Sequence, residues 1–225
     1  MRFENITKKY GEKTVLQDFS LEIAEGKITC ILGESGSGKT TLLNVAARLT
    51  PFSGNADFRS VSYIFQDARL LPNLTVEQNL QFVLPKSLWG NIPATLEKIG
   101  LAGKETAYPL RLSGGEAKRV AIARAFLYPH EVLLMDEPFS SLDVRIKKDL
   151  MELFFSLWQE KRNTVLFVTH DVHEAALLAH RAVVLQSGKI VFDQTLSDPL
   201  PRDYFTRLPV ETELTNALFL PKLPK

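Results

Sequence analysis

The chain has 225 residues, 45% of them hydrophobic, and a formal net charge of +1. That length allows one large domain or a domain with a lobe, and the balanced charge gives no bulk electrostatic case for a nucleic-acid partner. One cysteine, Cys30, excludes an internal disulfide and an all-cysteine metal cluster; no apolar run reaches the roughly eighteen residues of a membrane span, and residues 1–6 lack a signal-peptide core, so a cytosolic chain is expected.

Residues 2–8 alternate and predict a strand, residues 10–13 a turn, and residues 14–23 a strand pair closed at Glu25-Gly26. Tyr10 then sits at a strand end, either as a platform for an adenine ring or as an ordinary half-exposed strand aromatic. Residues 27–32 are apolar and β-rich. They run into Gly33-Glu34-Ser35-Gly36-Ser37-Gly38-Lys39-Thr40, which fits G-x-x-x-x-G-K-[ST]. Residues 40–47, with Thr41 beside Thr40, read as the start of a buried helix. Strand, glycine-rich loop and helix together make a phosphate cradle. The glycines let backbone N–H groups turn inward, and the helix start adds partial positive charge. Lys39 is expected to reach the β- and γ-phosphates, and the Thr40 hydroxyl to ligate Mg²⁺.

Pro51 to Gly54 break that helix, and residues 60–65 predict a strand ending at Gln66. A polar amide at that end suits Mg²⁺ or an attacking water. Residues 70–76 form an apolar turn in which Asn73 or Thr75 caps the next helix. Residues 76–84 and 92–99 read as helices of a small inserted lobe. Leu80, Phe82, Leu84, Trp89, Leu96 and Ile99 are its expected core; Leu70, Leu71, Leu74 and Trp89 are candidates for a docking patch.

Leu112-Ser113-Gly114-Gly115-Glu116 precedes a strong helix pattern over residues 117–127, with Val120, Ala123 and Leu127 on one stripe. On the residues alone, Ser113-Gly114-Gly115 is a cap-and-turn before it is a second anion site. Residues 131–138 read as a buried parallel strand ending in two carboxylates, costly without a purpose. Asp136 suits Mg²⁺ through water, and Glu137 suits proton abstraction from the attacking water. Asp143 caps a helix over residues 144–160. Residues 164–169 predict a further strand ending at His170, which either touches a γ-phosphate or is an ordinary hydrogen-bonded histidine. His130, His173 and His180 form no ligand set with it. A hairpin follows around Ser187-Gly188. Residues 198–225, with Pro199, Pro201, Pro209, Pro221 and Pro224, read as an irregular tail around one helix near residues 210–220, too short for a regulatory domain.

In this order the motifs resemble the nucleotide-binding subunit of ATP-binding-cassette transporters, over residues 1–205. Tyr10 matches the family's adenine-stacking aromatic, residues 33–40 its Walker A loop, and Gln66 its Q-loop. Residues 112–116 match the LSGGQ signature, residues 132–137 Walker B with its glutamate, Ser141-Leu142-Asp143 the D-loop, and His170 the switch histidine. Glu116 departs from the commoner glutamine, and its carboxylate would add local repulsion to phosphate. The resemblance implies an α/β fold: a P-loop NTPase core (residues 1–72 and 109–205) with an N-terminal antiparallel β subdomain. A helical lobe (residues 73–108 with the signature helix 113–127) and a tail (206–225) complete it. It implies ATP hydrolysis with ATP and Mg²⁺, and Glu137, His170 and Gln66 as catalytic residues. Nucleotide contacts would come from Tyr10, Gly33, Glu34, Ser35, Gly36, Ser37, Gly38, Lys39, Thr40, Thr41, Ser113, Gly114, Gly115, Glu116 and Asp143. Thr40, Gln66 and Asp136 would hold the metal. The implied partners are a second copy or homologous cassette packed head to tail, a transmembrane permease and a solute-binding protein, at the cytoplasmic face of the cell membrane. Residues 65–72 and 169–175 resemble importer cassettes of the nitrate, sulfonate, taurine and thiamine-precursor branch; an efflux or lipid-extraction system is the alternative.

Overall fold

Two kinds of apolar pattern separate the strands. Alternation buries one face of a strand, and an unbroken apolar run buries both. The computed structural model describes residues 1–219. In chain order these form β1 (Arg2–Tyr10), β2 (Lys13–Glu22), β3 (Ile28–Leu32), α1 (Lys39–Ala46), β4 (Ser53–Asp57), β5 (Val61–Ile64), α2 (Val76–Gln81) and α3 (Ile92–Lys98). Then follow α4 (Gly114–Leu127), β6 (Val132–Asp136), α5 (Val144–Lys161), β7 (Thr164–Thr169), α6 (Val172–Leu178), β8 (Arg181–Gln186), β9 (Lys189–Thr195) and α7 (Pro209–Phe219).

β1 and β2 alternate, pair antiparallel, and with β4 build a three-stranded sheet in the order β2-β1-β4. β3, β6 and β7 are buried at every position. They occupy the middle of a six-stranded sheet ordered β5-β6-β7-β3-β8-β9, parallel except for β9. On one face Cys30, Leu32, Met135 and Phe167 pack in a core with α4, α5 and α6. On the other, Ile31, Leu134, Leu166 and Val183 pack with Leu42 and Leu43 of α1 and with Phe3 and Phe19 of the antiparallel sheet. This is the expected mixed α/β architecture, with its N-terminal β subdomain and helical lobe. Because β3, β5, β6 and β7 run parallel, the residues that follow them all emerge at one sheet edge, where open α/β sheets bind ligands.

Three local expectations are corrected. The segment expected as a strand pair over residues 14–23 is one long strand, β2, through Glu22; irregular β1–β2 register and a positive φ of 48° at Asp18 disguise its alternation. β4 went unforeseen because only Ala56 is buried along it. Its Gly54 lies so close to β1 that a Cβ would sit 2.4 Å from the Asn5 carbonyl. Phe82 is no part of the lobe core: α2 ends at Gln81, and Phe82 at its C-cap is 69% exposed. Trp89 is half-buried, its indole N–H donating to the Leu84 carbonyl at 3.2 Å. The helix expected near residues 210–220 is present as α7. α7 buries Leu214 and Leu218 in the core, and the Gln186 amide donates to the carbonyls of Ala217 and Leu218. Leu220, Pro221 and Pro224 lie outside the described residues. Of the two candidate caps for α2, Thr75 is the one used, in a reciprocal capping box with Gln78.

The β8–β9 turn presses on the phosphate-loop motif. Gly188 has φ +74°, its N–H donates to the Ser37 carbonyl at 3.1 Å, and a Cβ there would lie 2.2 Å from the Val15 carbonyl. Gly188→Ala is therefore expected to cost about 2–3 kcal/mol through strain and displaced backbone, lowering the thermal midpoint by roughly 4–12 °C. Gly90→Ala, at a glycine with open space around it, is the matched control and should move the midpoint by little. Equal midpoints in calorimetry would contradict the packing.

Candidate functional site

The edge site starts where β3 ends. Gly36 and Gly38 take φ of 80° and 108°, which side chains rarely adopt. A Cβ on Gly33 would lie 2.5 Å from the Leu185 carbonyl. These glycines bring the chain round so that α1 begins with Gly38 at its N-cap, where no side chain accepts the first-turn N–H groups. Such a helix start is free to bind an anion. The Ser37 hydroxyl, beside it, is buried and lacks a hydrogen-bond partner among the described residues. Both features fit a phosphate group.

Lys39 is only 5% exposed. Its ammonium donates to the carbonyls of Gly33 at 2.7 Å and Glu34 at 3.0 Å, and lies 3.6 Å from Glu137 Oε1. Burial lowers its pKa, while Glu137 and Asp136 act the other way. The Thr40 hydroxyl donates to Asp136 Oδ1 at 3.0 Å. Burial pushes the Asp136 carboxyl above its usual range, opposed by that hydrogen bond and by Lys39. A hydroxyl and a carboxylate so joined are the hard oxygen donors that suit Mg²⁺.

Glu137 stands just past β6 with φ 43°, its N–H held by the Val168 carbonyl at 3.0 Å. Its side chain is 17% exposed, with Oε2 3.1 Å from Nδ1 of the exposed His170. Lys39, Thr40, Asp136, Glu137 and His170 are thus brought together by three parallel strands. Thr41 follows Thr40 in α1, and Glu34 and Ser35 lie exposed in the loop. Gln66 is exposed past β5, with no side-chain hydrogen bond among the described residues. Tyr10 ends β1 at 48% exposure, the Lys8 ammonium 4.4 Å from its ring.

Ser113 to Glu116 form a separate group at the start of α4. The Ser113 hydroxyl accepts from the Glu116 N–H, and Glu116 accepts from the Ser113 N–H at 2.9 Å. Gly115 packs so tightly that a Cβ would lie 2.9 Å from Ile146. Asp143 caps α5 by accepting from the Ile146 N–H. Among the described residues, no hydrogen bond or ion pair joins Ser113 to Glu116 with the phosphate loop.

Three cations that bind these pieces together escaped sequence reasoning. Lys118 of α4 donates to the carbonyls of Pro138 and Ser140, tying that helix to the segment after Glu137. Arg124 donates to the carbonyls of Ala68 and Arg69, just past Gln66. Lys147 of α5 lies 2.6 Å from Asp171 and 2.7 Å from the buried Glu174, which accepts from the Thr169 hydroxyl at 2.6 Å. Burial lowers the Lys147 pKa, but the two carboxylates outweigh it and hold it above its usual value. A glutamate within the otherwise buried run of α6 was the readable signal, since a buried charge requires a partner. The remaining histidines serve elsewhere. His173 contacts Glu211 and the Tyr204 carbonyl; His180 accepts from the Ile28 N–H, with burial and nearby Lys27, Arg202 and Arg162 lowering its pKa to about 4.

Comparison with known proteins gives a consistent result. The family model described as ABC transporter matches residues 16–140. The aliphatic sulfonates import ATP-binding protein SsuB of Burkholderia thailandensis is 41% identical over 210 residues, covering 90% of this chain and 63% of that protein. The chain therefore spans less than two thirds of that relative. SsuB 2 of Streptomyces avermitilis is 42% identical, covering 91% of this chain and 84% of that protein. Among solved structures, cbiO1 from Clostridium perfringens, part of the ABC transporter complex cbiONQ, superposes with a TM-score of 0.76 at 25% identity, covering 86% and 87% of the two chains. The dimeric ATP-binding cassette MJ0796 bound to ADP and Pi gives 0.74 at 29% identity, covering 88% of this chain and 99% of that one.

Proposed function

The chain belongs to the ABC transporter family, and on that premise we propose that it is an ATP-hydrolysing subunit that drives solute import through a separate permease. The observation that carries the ATPase role is the uncapped start of α1, with the buried Lys39 ammonium 3.6 Å from Glu137 and Thr40 joined to Asp136. One strand edge thereby offers a phosphate cradle, a cation, hard oxygen donors and a base.

In this function Lys39 and the N–H groups of residues 33–41 hold the phosphates, and Tyr10 offers its ring to the adenine. Thr40, Asp136 and Gln66 would hold Mg²⁺, which neutralises charge developing on the phosphate oxygens. Glu137 takes the proton from the attacking water, and His170 fixes the Glu137 carboxylate and the water. Ser113, Gly114, Gly115, Glu116 and Asp143 stand apart from this cluster and serve the site of a second copy, so a head-to-tail pair completes two equivalent sites. Closure of the pair on ATP, and its reopening after hydrolysis, moves the helical lobe against the permease.

Residues 1–72 and 109–205 constitute the ATPase core. Residues 73–108 with the helix at 113–127 constitute the lobe, and residues 206–225 the tail. No helix among the described residues is long and apolar enough to cross a membrane; in this function the chain meets the cytoplasmic face peripherally, through the permease. The sulfonate-import names of the relatives support that class of solute; the importer reading adds a solute-binding protein in the full system and leaves nucleic acid no part in it.

The test is recovery of the Glu137→Gln chain with ATP from its native membranes, followed by mass identification of what accompanies it. A multi-span permease with a solute receptor is expected. A permease without a receptor would favour efflux, and ribosomal or DNA-repair partners would overturn transport.

A further inference from the structure

Glu116 places a carboxylate in the first turn of a helix proposed to receive phosphate, and the structure shows what offsets it. We propose that Lys104 is a positioning residue of this half-site. Its ammonium neutralises Glu116, so that the start of α4 can receive the terminal phosphate of ATP held by the other cassette. The inference rests on the cassette function argued above.

Glu116 Oε1 lies 2.5 Å from Lys104 Nζ, while Oε2 accepts from the Ser113 N–H at 2.9 Å. Both carboxylate oxygens are thereby occupied, one by a cation and one by the cap. Lys104 and the Ser113 N–H together hold the Glu116 carboxyl below the usual range, so the group carries its charge at neutral pH. The Ser113 oxygen accepts from the Glu116 N–H, which leaves the hydroxyl proton to donate outward. Without the ammonium, a full negative charge in the same turn would face an incoming phosphate and cancel part of the positive potential of the helix start.

Lys104 is also held in place. Its N–H donates to the Leu101 carbonyl and its own carbonyl accepts from the Ala107 N–H, both at 3.1 Å. The Ala107 carbonyl in turn accepts from the Val76 N–H at 2.8 Å, at the start of α2. An ion pair whose backbone anchor is already ordered loses less entropy than a free surface pair. Glutamine at 116 would keep the capping box without the charge and would leave Lys104 nothing to neutralise.

The experiment is a double-mutant cycle in the Glu137→Gln chain, read as the ATP concentration that half-saturates dimer formation in light scattering. Lys104→Met should raise that concentration about five-fold when residue 116 is glutamate, and less than about two-fold in a Glu116→Gln background. The five-fold penalty should also shrink in high salt, as repulsion is screened. Equal shifts in both backgrounds, indifferent to salt, would mean that Lys104 does not act through the charge of Glu116, and that result overturns the proposal. Absence of any ATP-driven dimer in the parent Glu137→Gln chain overturns the cassette function itself, and the role of Lys104 with it.

Discussion

Glu137→Gln is expected to keep ATP binding and to lower hydrolysis by about 10²–10⁴-fold, the usual contribution of a positioned general base. The size of the effect follows from where the carboxylate sits. It is mostly buried, held past the end of β6 in a left-handed backbone conformation, and set between Lys39 and His170. Glutamine is close in size and keeps an oxygen toward His170, so the site keeps its shape. It cannot take up a proton from water. It also removes the anion 3.6 Å from Lys39, which leaves that ammonium freer for phosphate, so binding should not weaken. Phosphate release and equilibrium dialysis with labelled ATP separate the two quantities. Turnover within two-fold of the parent would remove Glu137 from the chemistry.

Lys39→Ala should act on the other quantity. A charge-assisted hydrogen bond contributes about 1.5–3 kcal/mol, so loss of the ammonium should weaken nucleotide affinity roughly 10- to 150-fold. The same ammonium donates to the Gly33 and Glu34 carbonyls, so its removal also loosens the loop. The thermal midpoint without nucleotide measures that second effect and must be recorded beside the affinity. Unchanged affinity, whatever the midpoint does, would place the phosphates elsewhere.

The parts of the fold readable from sequence were those with a strong local signature. The unbroken apolar runs of β3, β6 and β7 are buried on both faces and occupy the sheet centre. Gly33 to Thr40 combine glycine spacing with strand-then-helix context, and Asp136-Glu137 at a buried strand end stand out by cost alone. Where the signature is weak, the reading failed. β4 has one buried residue and owes its place to backbone pairing with β1. Phe82 is apolar, but a helix that ends one residue earlier leaves it outside. The contacts of Lys104, Lys118, Arg124 and Lys147 join segments twelve to fifty-six residues apart. A long cation gives no hint in its own neighbourhood of which carbonyl or carboxylate it will reach. Glu116 illustrates the limit: its charge was legible and its neutralisation by Lys104 was not.

The most direct measurement is the rate of phosphate release from Mg-ATP per molecule of purified chain, taken over a wide range of protein concentration. Lys39 and Glu137 lie in one group and Ser113 in another, and in the proposed head-to-tail pair a second copy unites them. The rate per molecule should therefore climb with concentration and level off as pairs form. A rate per molecule independent of concentration would contradict the composite site, and no release at any concentration, even with the permease present, would contradict the ATPase.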